Sequence, residues 1–168
     1  FNMALVASCA NSLKGNKIAV ISNAGGPAVL TTDLVSQSSL QLAELQHETQ
    51  KKLLHSLPKT ANIKNPIDIV GDANALRYET ALSSVLADPG VDAGIVILTP
   101  QTVTEIDATA KVIISASKKY KKPLVATFIG GKKVLFGITL LAKKNIPVYE
   151  FPNQAVAALS DLYKYVSN

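Results

Sequence analysis

The stretch KIAVISNAGGP, residues 17–27, decides the fold. Residues 17–22 form a short and almost continuous apolar run, which is typical of a strand buried on both faces of a parallel sheet. A turn over residues 23–26 contains two adjacent glycines, and Pro27 suits the first turn of a helix that is predicted to reach Gln37. This order of strand, glycine turn and helix indicates a βα unit.

The same alternation continues along the chain. Further strands are predicted over 40–45, 92–99, 124–129 and 147–150, and further helices over 48–57, 75–86, 104–120, 132–143 and 153–166, with an irregular loop over 62–72. Strands and helices that alternate at this spacing predict a parallel sheet with right-handed crossovers. We therefore expect an α/β, doubly wound, flavodoxin-like three-layer sandwich with a five-stranded parallel sheet of order 2-1-3-4-5.

Size and composition favour one domain over residues 1–168. A helix predicted over 3–13 makes residues 1–14 a candidate connector from a preceding domain, and the absence of an initial Met suggests a piece of a longer polypeptide. The single cysteine, Cys9, cannot form an internal disulfide and fits a reducing compartment. We therefore predict a cytoplasmic protein, and no apolar run reaches the roughly 20 residues that span a bilayer.

The charge pattern argues against a nucleic-acid partner. The formal net charge of +5 is carried by lysines that are spread along the chain in pairs, and Arg77 is the only arginine. Nucleic-acid surfaces usually cluster arginine with exposed aromatic side chains. We expect neither a nucleic acid nor a membrane as partner.

The glycine turn is the first candidate site, because open doubly wound sheets bind ligands beyond the carboxyl ends of their strands. Backbone N–H groups at a helix N-terminus, together with the positive end of the helix dipole, favour anions. The predicted phosphate-binding residues are Asn23, Ala24, Gly25, Gly26 and Pro27, with the Asn23 side chain as an additional donor. The alternative is a tight turn without a ligand. The segment matches neither GxGxxG nor GxxxxGK[ST].

A second candidate segment supplies the supporting residues Asn65, Pro66 and Asp68. Asn65 is held extended by the following proline, and Asp68 could accept backbone amides in the same cleft. The alternative is an Asx turn that only orders the loop. Metal-ligand spacing and the usual catalytic sets are absent from the sequence, and His47 and His55 are interpreted as solvated helix residues. The sequence therefore predicts no catalytic residue and no metal site.

Several segments together resemble one family. They are residues 18–30, Asp33, 57–58, 65–73, 77–78, 88–93, 99–101, 122–123 and 146–149. Asn-Ala-Gly-Gly-Pro combined with Asn-Pro-x-Asp resembles the ADP-forming acyl-CoA synthetases, a branch of the succinyl-CoA synthetase superfamily. The match covers almost the whole chain and is similar to the second flavodoxin-like ligase domain of the α portion.

The resemblance implies a role in acid–thiol ligation. The family converts acid, CoA and ATP into acyl-CoA, ADP and phosphate, or runs in reverse, through an acyl phosphate and a phosphohistidine held between two helix N-termini. The helix that opens at 25–27 would be one of the two. The implied partners are the CoA-binding and first ligase-like domains of the same parent chain and an ATP-grasp domain or β subunit, in an oligomeric parent that uses Mg.

Several segments of the family pattern are absent from this sequence. Neither histidine lies in the family's Ser-His-Thr-Gly segment, and the CoA-binding and ATP-grasp segments are absent from this sequence. We therefore predict that the isolated chain is inactive and binds no cofactor tightly, with phosphate or phosphohistidine bound only transiently. The alternatives are a non-catalytic docking or regulatory module, including the synthetase-like part of a protein acetyltransferase, and a free-standing mononucleotide binder.

Overall fold

A computed structural model describes residues 13–167 of the chain. Its parallel sheet contains β1 (Lys17–Ser22), β2 (Gln41–Leu42), β3 (Ile67–Asp68), β4 (Ala93–Leu98), β5 (Leu124–Phe128) and β6 (Val148–Tyr149). The strand order is β2-β1-β4-β5-β6, and β3 pairs with β1. The doubly wound fold is confirmed, while the predicted connector helix lies, apart from Leu13, outside the described residues.

Within residues 13–167 the sheet has six strands, one more than the five predicted. Residues 62–72 are not an irregular loop throughout, because Ile67 and Asp68 pair with Ile21 and Ser22 at the end of β1. β2 reaches only the beginning of β1, and it is shorter than the predicted strand over 40–45. The edge next to β1 is thus divided between two short strands, and the predicted order 2-1-3-4-5 holds only when β3 is left aside.

The Asn65 side chain fills the gap between β2 and β3. Its Oδ1 accepts the backbone N–H of Val20 at 2.9 Å, and its Nδ2 donates to the carbonyl oxygens of Ile18 at 2.8 Å and Ala43 at 3.0 Å. Buried backbone groups are expensive to leave unpaired. Asn65 therefore replaces the backbone hydrogen bonds that a continuous neighbouring strand would make.

Asn65→Ala is expected to lower the free energy of unfolding by about 2 kcal/mol, because the N–H of Val20, within the buried strand β1, loses its hydrogen-bond partner. Chemical denaturation measures the change. Asn153→Ala is the matched control, since Asn153 is exposed on the last helix and its loss should change stability by less than about 0.5 kcal/mol. Equal stabilities of the two variants would contradict the role given to Asn65.

In the described part of the chain, residues 13–167, six α-helices cover the two faces of the sheet. They are α1 (Gly25–Ser36), α2 (His47–Ser56), α3 (Ala75–Ala87), α4 (Ile106–Tyr120), α5 (Leu135–Ala142) and α6 (Pro152–Ser167). Helices α1 and α6 pack on one face, and the other four cover the opposite face. The helix predicted over 132–143 begins as a 3-10 turn, Gly131–Val134, before α5.

Two apolar cores result from this arrangement. In β1, Ile18 and Val20 belong to the core under α1 and α6, and Ala19 and Ile21 belong to the core on the opposite face. This is the two-sided burial that the apolar run of β1 predicts. Across residues 13–167, none of the helices combines the length and the apolar character that crossing a bilayer would require.

Candidate functional site

The turn between β1 and α1 is fixed by the Ser22 side chain. Its Oγ donates to the Ala24 carbonyl at 2.8 Å and accepts the Ala24 N–H at 3.0 Å. Ala24 is extended, with φ −146° and ψ 122°, and immediately precedes the helix. This side-chain turn directs the chain from the carboxyl end of β1 into α1 and uses the N–H of Ala24.

Asn23 connects the ends of two neighbouring strands. Its Nδ2 donates to the Thr99 carbonyl at 2.8 Å, and its Oδ1 accepts from the Thr99 N–H at 2.9 Å and the Thr99 Oγ1 at 3.2 Å. The side chain is buried. The expected ligand donor is therefore engaged with Thr99, and Asn23 shapes the turn by joining β1 to the residue that follows β4.

Two backbone N–H groups in the first turn of α1 are available for an anion. Within residues 13–167, no acceptor is hydrogen bonded to the N–H of Gly25 or Gly26. Pro27 has no N–H, and the first turn contains no acidic side chain. Both glycines are exposed at the positive end of a 12-residue helix. This pair of donors is the arrangement that the glycine turn predicts.

The two glycines face different surroundings. A Cβ atom on Gly25 would lie 3.1 Å from Oδ2 of Asp68, whereas a Cβ atom on Gly26 would meet nothing within 4 Å. Close approach of a carboxylate therefore favours glycine at position 25. Position 26 has room for a side chain, so substitutions there can change the charge of the site without a steric conflict.

Asp68 has one oxygen engaged in the loop and one at the glycine turn. Its Oδ1 accepts the N–H of Val70 at 2.9 Å, which is the Asx turn given above as the alternative. Its Oδ2 is the atom nearest to a Cβ on Gly25. Val70 has φ +70°, an uncommon value for a β-branched residue, and the guanidinium of Arg77 donates to the neighbouring Ile69 carbonyl at 3.0 Å. The loop holds this carboxylate beside α1.

The structure separates the other supporting residues from the turn. Asn65 lies beside the middle of β1, where it bonds Ile18 and Val20, and Pro66 connects it to β3. Asn23, Ala24, Gly25, Gly26, Pro27 and Asp68 are the predicted site residues that meet at the carboxyl edge, the edge at which the parallel strands end.

Tyr78 is a residue of the site that the sequence pattern did not reveal. The side chain is fully buried, and its hydroxyl donates to the Ile97 carbonyl at 2.9 Å. Burial raises the pKa of this hydroxyl, and the nearby backbone of Asn23 acts in the opposite direction. Tyr78 thus supports the glycine turn from the side of the core. Two signals for it are present in the sequence, a tyrosine among the apolar residues of α3 and the resemblance of residues 77–78 to the family.

The histidines lie away from the turn. Both are on α2, whose preceding residue, Gln46, donates its N–H to Asp88 at the edge where β4 begins. His55 Nδ1 is 2.7 Å from the Lys51 carbonyl of the same helix. No cluster of three or more His, Cys, Asp or Glu side chains able to hold a metal ion occurs within residues 13–167.

Sequence comparison identifies the family of this chain. The family model described as "Ligase-CoA domain" matches residues 18–168. The chain belongs to the Ligase-CoA domain family. This confirms the resemblance inferred from the motifs, and the glycine turn and the Asp68 loop both lie inside the matched range.

Relatives of this Ligase-CoA domain are ADP-forming ligases. Over 158 residues it is 40% identical to the acetate–CoA ligase (ADP-forming) of Methanocaldococcus jannaschii, covering 92% of this chain and 22% of that protein. Over 159 residues it is 37% identical to the acetate–CoA ligase (ADP-forming) II subunit alpha of Pyrococcus furiosus, covering 92% of this chain and 35% of that subunit.

A solved structure extends the similarity to three dimensions. It is an acetyl-coenzyme A synthetase 1 of Ca. Korarchaeum cryptofilum, determined in complex with phosphate and ADP, with a TM-score of 0.90 and 29% identity. The superposition covers 99% of the Ligase-CoA domain described here and 36% of that chain. The domain thus spans about a fifth to a third of the length of the proteins that it matches.

Proposed function

We propose that this domain is part of an ADP-forming acyl-CoA synthetase, in which the N–H groups of Gly25 and Gly26 bind the phosphoryl group of a phosphohistidine. The observation that carries the proposal is this pair of backbone donors at the start of α1, in a chain of the Ligase-CoA domain family. Preorganised N–H groups at a helix N-terminus stabilise a dianion without reorganisation during the reaction.

Asp68 gives this site a second function. A carboxylate next to a phosphoryl dianion is unfavourable unless a proton donor lies between them. A phosphorylated imidazole has such a donor, the N–H of its second ring nitrogen. We assign Asp68 Oδ2 as the acceptor of this N–H, and Tyr78, Asn23 and Ser22 as the residues that hold the turn in place.

The remaining parts of the reaction belong to other domains of the proposed enzyme. The histidine, the CoA site and the ATP, ADP and Mg site would come from a CoA-binding domain, a first ligase-like domain and an ATP-grasp domain or β subunit. Two N–H donors can bond only some of the oxygens of a phosphoryl group. The complementary helix of the first ligase-like domain would supply the remaining donors. The isolated domain is accordingly expected to be inactive.

A docking function is the second candidate, and exposed apolar side chains favour it. Within residues 13–167, seven large apolar residues with more than half of their surface exposed lie in loops or in the first two turns of helices at the carboxyl edge: Val29, Leu30, Leu76, Val103, Leu135, Phe136 and Phe151. Soluble proteins rarely expose so many together without an interaction partner. Docking and phosphoryl binding at this edge are compatible, because a partner that presents a phosphohistidine must contact the same surface.

Labelling of the intact enzyme tests the proposed reaction. Incubation with acyl-CoA and radioactive inorganic phosphate is expected to label the protein with phosphate that is stable in alkali and lost in acid, as a phosphohistidine is. Peptide mapping should place the label on a histidine outside α2. A protein that remains unlabelled in the absence of ADP, although the same preparation makes ATP when ADP is added, would contradict the proposal and leave the docking function.

A further inference from the structure

A cavity of about 610 Å³ opens at the amino edge of the sheet, the edge at which the parallel strands begin. It lies beside the starts of β1, β4 and β5, opposite to the glycine turn. Its lining residues are Lys14, Pro89, Val91, Asp92, Tyr120, Lys121 and Lys122. This volume falls within the range of about 300–1,000 Å³ that is usual for small-molecule sites.

The cavity has an excess of positive charge. Within residues 13–167, no carboxylate lies within 4.0 Å of the ammonium groups of Lys14, Lys121 or Lys122. The nearby carboxylates are engaged with the backbone: Asp92 accepts the N–H of Lys17 at 3.0 Å, and Asp88 accepts those of Gly90 and Gln46, both at 2.8 Å. The cavity therefore favours a negatively charged ligand.

Lys122 is the most constrained of the three lysines. Its Nζ donates to the Asp88 carbonyl at 2.6 Å. Burial lowers the pKa of this ammonium, and the charge of Lys14 acts in the same direction, against the opposing effect of Asp88 and Asp92. A bound anion would compensate for both the burial and the repulsion between the two lysines.

The uncharged part of the lining is apolar. Pro89, Val91 and the partly buried Tyr120 contribute it, and Val91 and Tyr120 belong to or pack against the core under α3 and α4. Pro89 and Val91 lie in the turn between α3 and β4, and Tyr120 is the last residue of α4. A small inorganic anion would leave this surface uncovered, whereas a ligand with an apolar body would bury it.

We infer that the amino edge contains a second binding site, for an organic phosphate whose phosphate contacts Lys14, Lys121 and Lys122 and whose apolar, ring-sized body packs on Pro89, Val91 and Tyr120. A nucleoside monophosphate is the class of ligand that combines these features at this volume. The site shares no residue with the glycine turn, so the inference does not rest on the proposed function.

Lysine modification in the intact protein tests the inference at single residues. Pyridoxal 5′-phosphate, an aromatic phosphate with an aldehyde, condenses with a neutral amine, water leaves, and borohydride reduces the imine to a stable amine. Peptide mapping should show Lys122 modified at least about 10-fold faster than the exposed Lys143 and Lys144, since a lowered pKa and local binding both favour reaction. Equal rates at these lysines would overturn the inference.

Protection and charge reversal test the ligand class. AMP is expected to protect Lys122 saturably, at concentrations at least about 10-fold lower than inorganic phosphate. Lys14→Glu combined with Lys121→Glu should weaken this protection by at least about 10-fold, while the control Lys143→Glu with Lys144→Glu leaves it unchanged. Equal protection by AMP and inorganic phosphate, or equal effects of the two double variants, would overturn the assignment.

Discussion

Gly26→Asp is expected to reduce phosphoryl transfer in the intact enzyme proposed above by at least about 100-fold, because it places a negative charge next to the proposed dianion. A carboxylate at this position would lie at the start of α1, where the proposed phosphoryl dianion binds, and would repel it. The fold should be unaffected, because a Cβ atom on Gly26 meets nothing within 4 Å. The rate of labelling by inorganic phosphate measures the effect.

Two substitutions at the same position separate charge from size. Gly26→Asn has almost the same shape as the aspartate variant without its charge, and Gly26→Ala adds only a methyl group to open space. Both are expected to remain within about 10-fold of the unsubstituted enzyme, since they remove no N–H donor. If the Asp and Asn variants lose activity equally, the turn does not bind a phosphoryl group through charge.

Tyr78→Ala is expected to lower the free energy of unfolding by about 3–5 kcal/mol, the range for removal of a large buried ring. The side chain is fully buried in the core under α3 and α4, and its hydroxyl bonds the end of β4 at Ile97, close to the backbone of Asn23. Tyr78→Phe keeps the ring and should cost about 1–2 kcal/mol for the lost hydrogen bond to Ile97. Urea denaturation followed by circular dichroism provides both values.

Tyr165→Ala is the control for this pair, because Tyr165 is 73% exposed near the end of α6 and its truncation should change stability by less than about 0.5 kcal/mol. A Tyr78→Phe variant as stable as the unsubstituted protein would show that the hydroxyl contributes nothing to the turn. A Tyr78→Ala variant as stable as Tyr165→Ala would contradict the packing described here.

The predictable parts of the molecule are those in which neighbouring residues carry the signal. The apolar run of β1, the glycine pair and Pro27 are contiguous, so strand, turn and helix start followed from local patterns. The strand at Ile67–Asp68 was missed because two residues after a proline show no alternation, and its pairing with Ile21 and Ser22 crosses more than forty residues. Local patterns do not record such distant pairing.

Side-chain roles were predicted less well than backbone positions for the same reason. Asn23 was expected to donate to a ligand and Asn65 to support the site, and each bonds backbone groups that are distant in sequence. In the sequence, a polar side chain that binds a ligand cannot be distinguished from one that bonds the backbone. Tyr78 shows the opposite case, since its contact with the turn depends on how α3 packs against the sheet.

The divided edge beside β1 has a consequence for how this domain can vary in length. The chain first pairs with the start of β1 through β2, and after α2 it pairs with the end of β1 through β3. Asn65 lies just before this second pairing and bonds β1. Insertions or deletions within α2 and its flanking loops would change the length of the segment between β2 and β3 without changing where β3 pairs with β1. The distance between Asp68 and the glycine turn is therefore independent of the number of residues between them, and relatives in which this segment is longer or shorter can keep the same site.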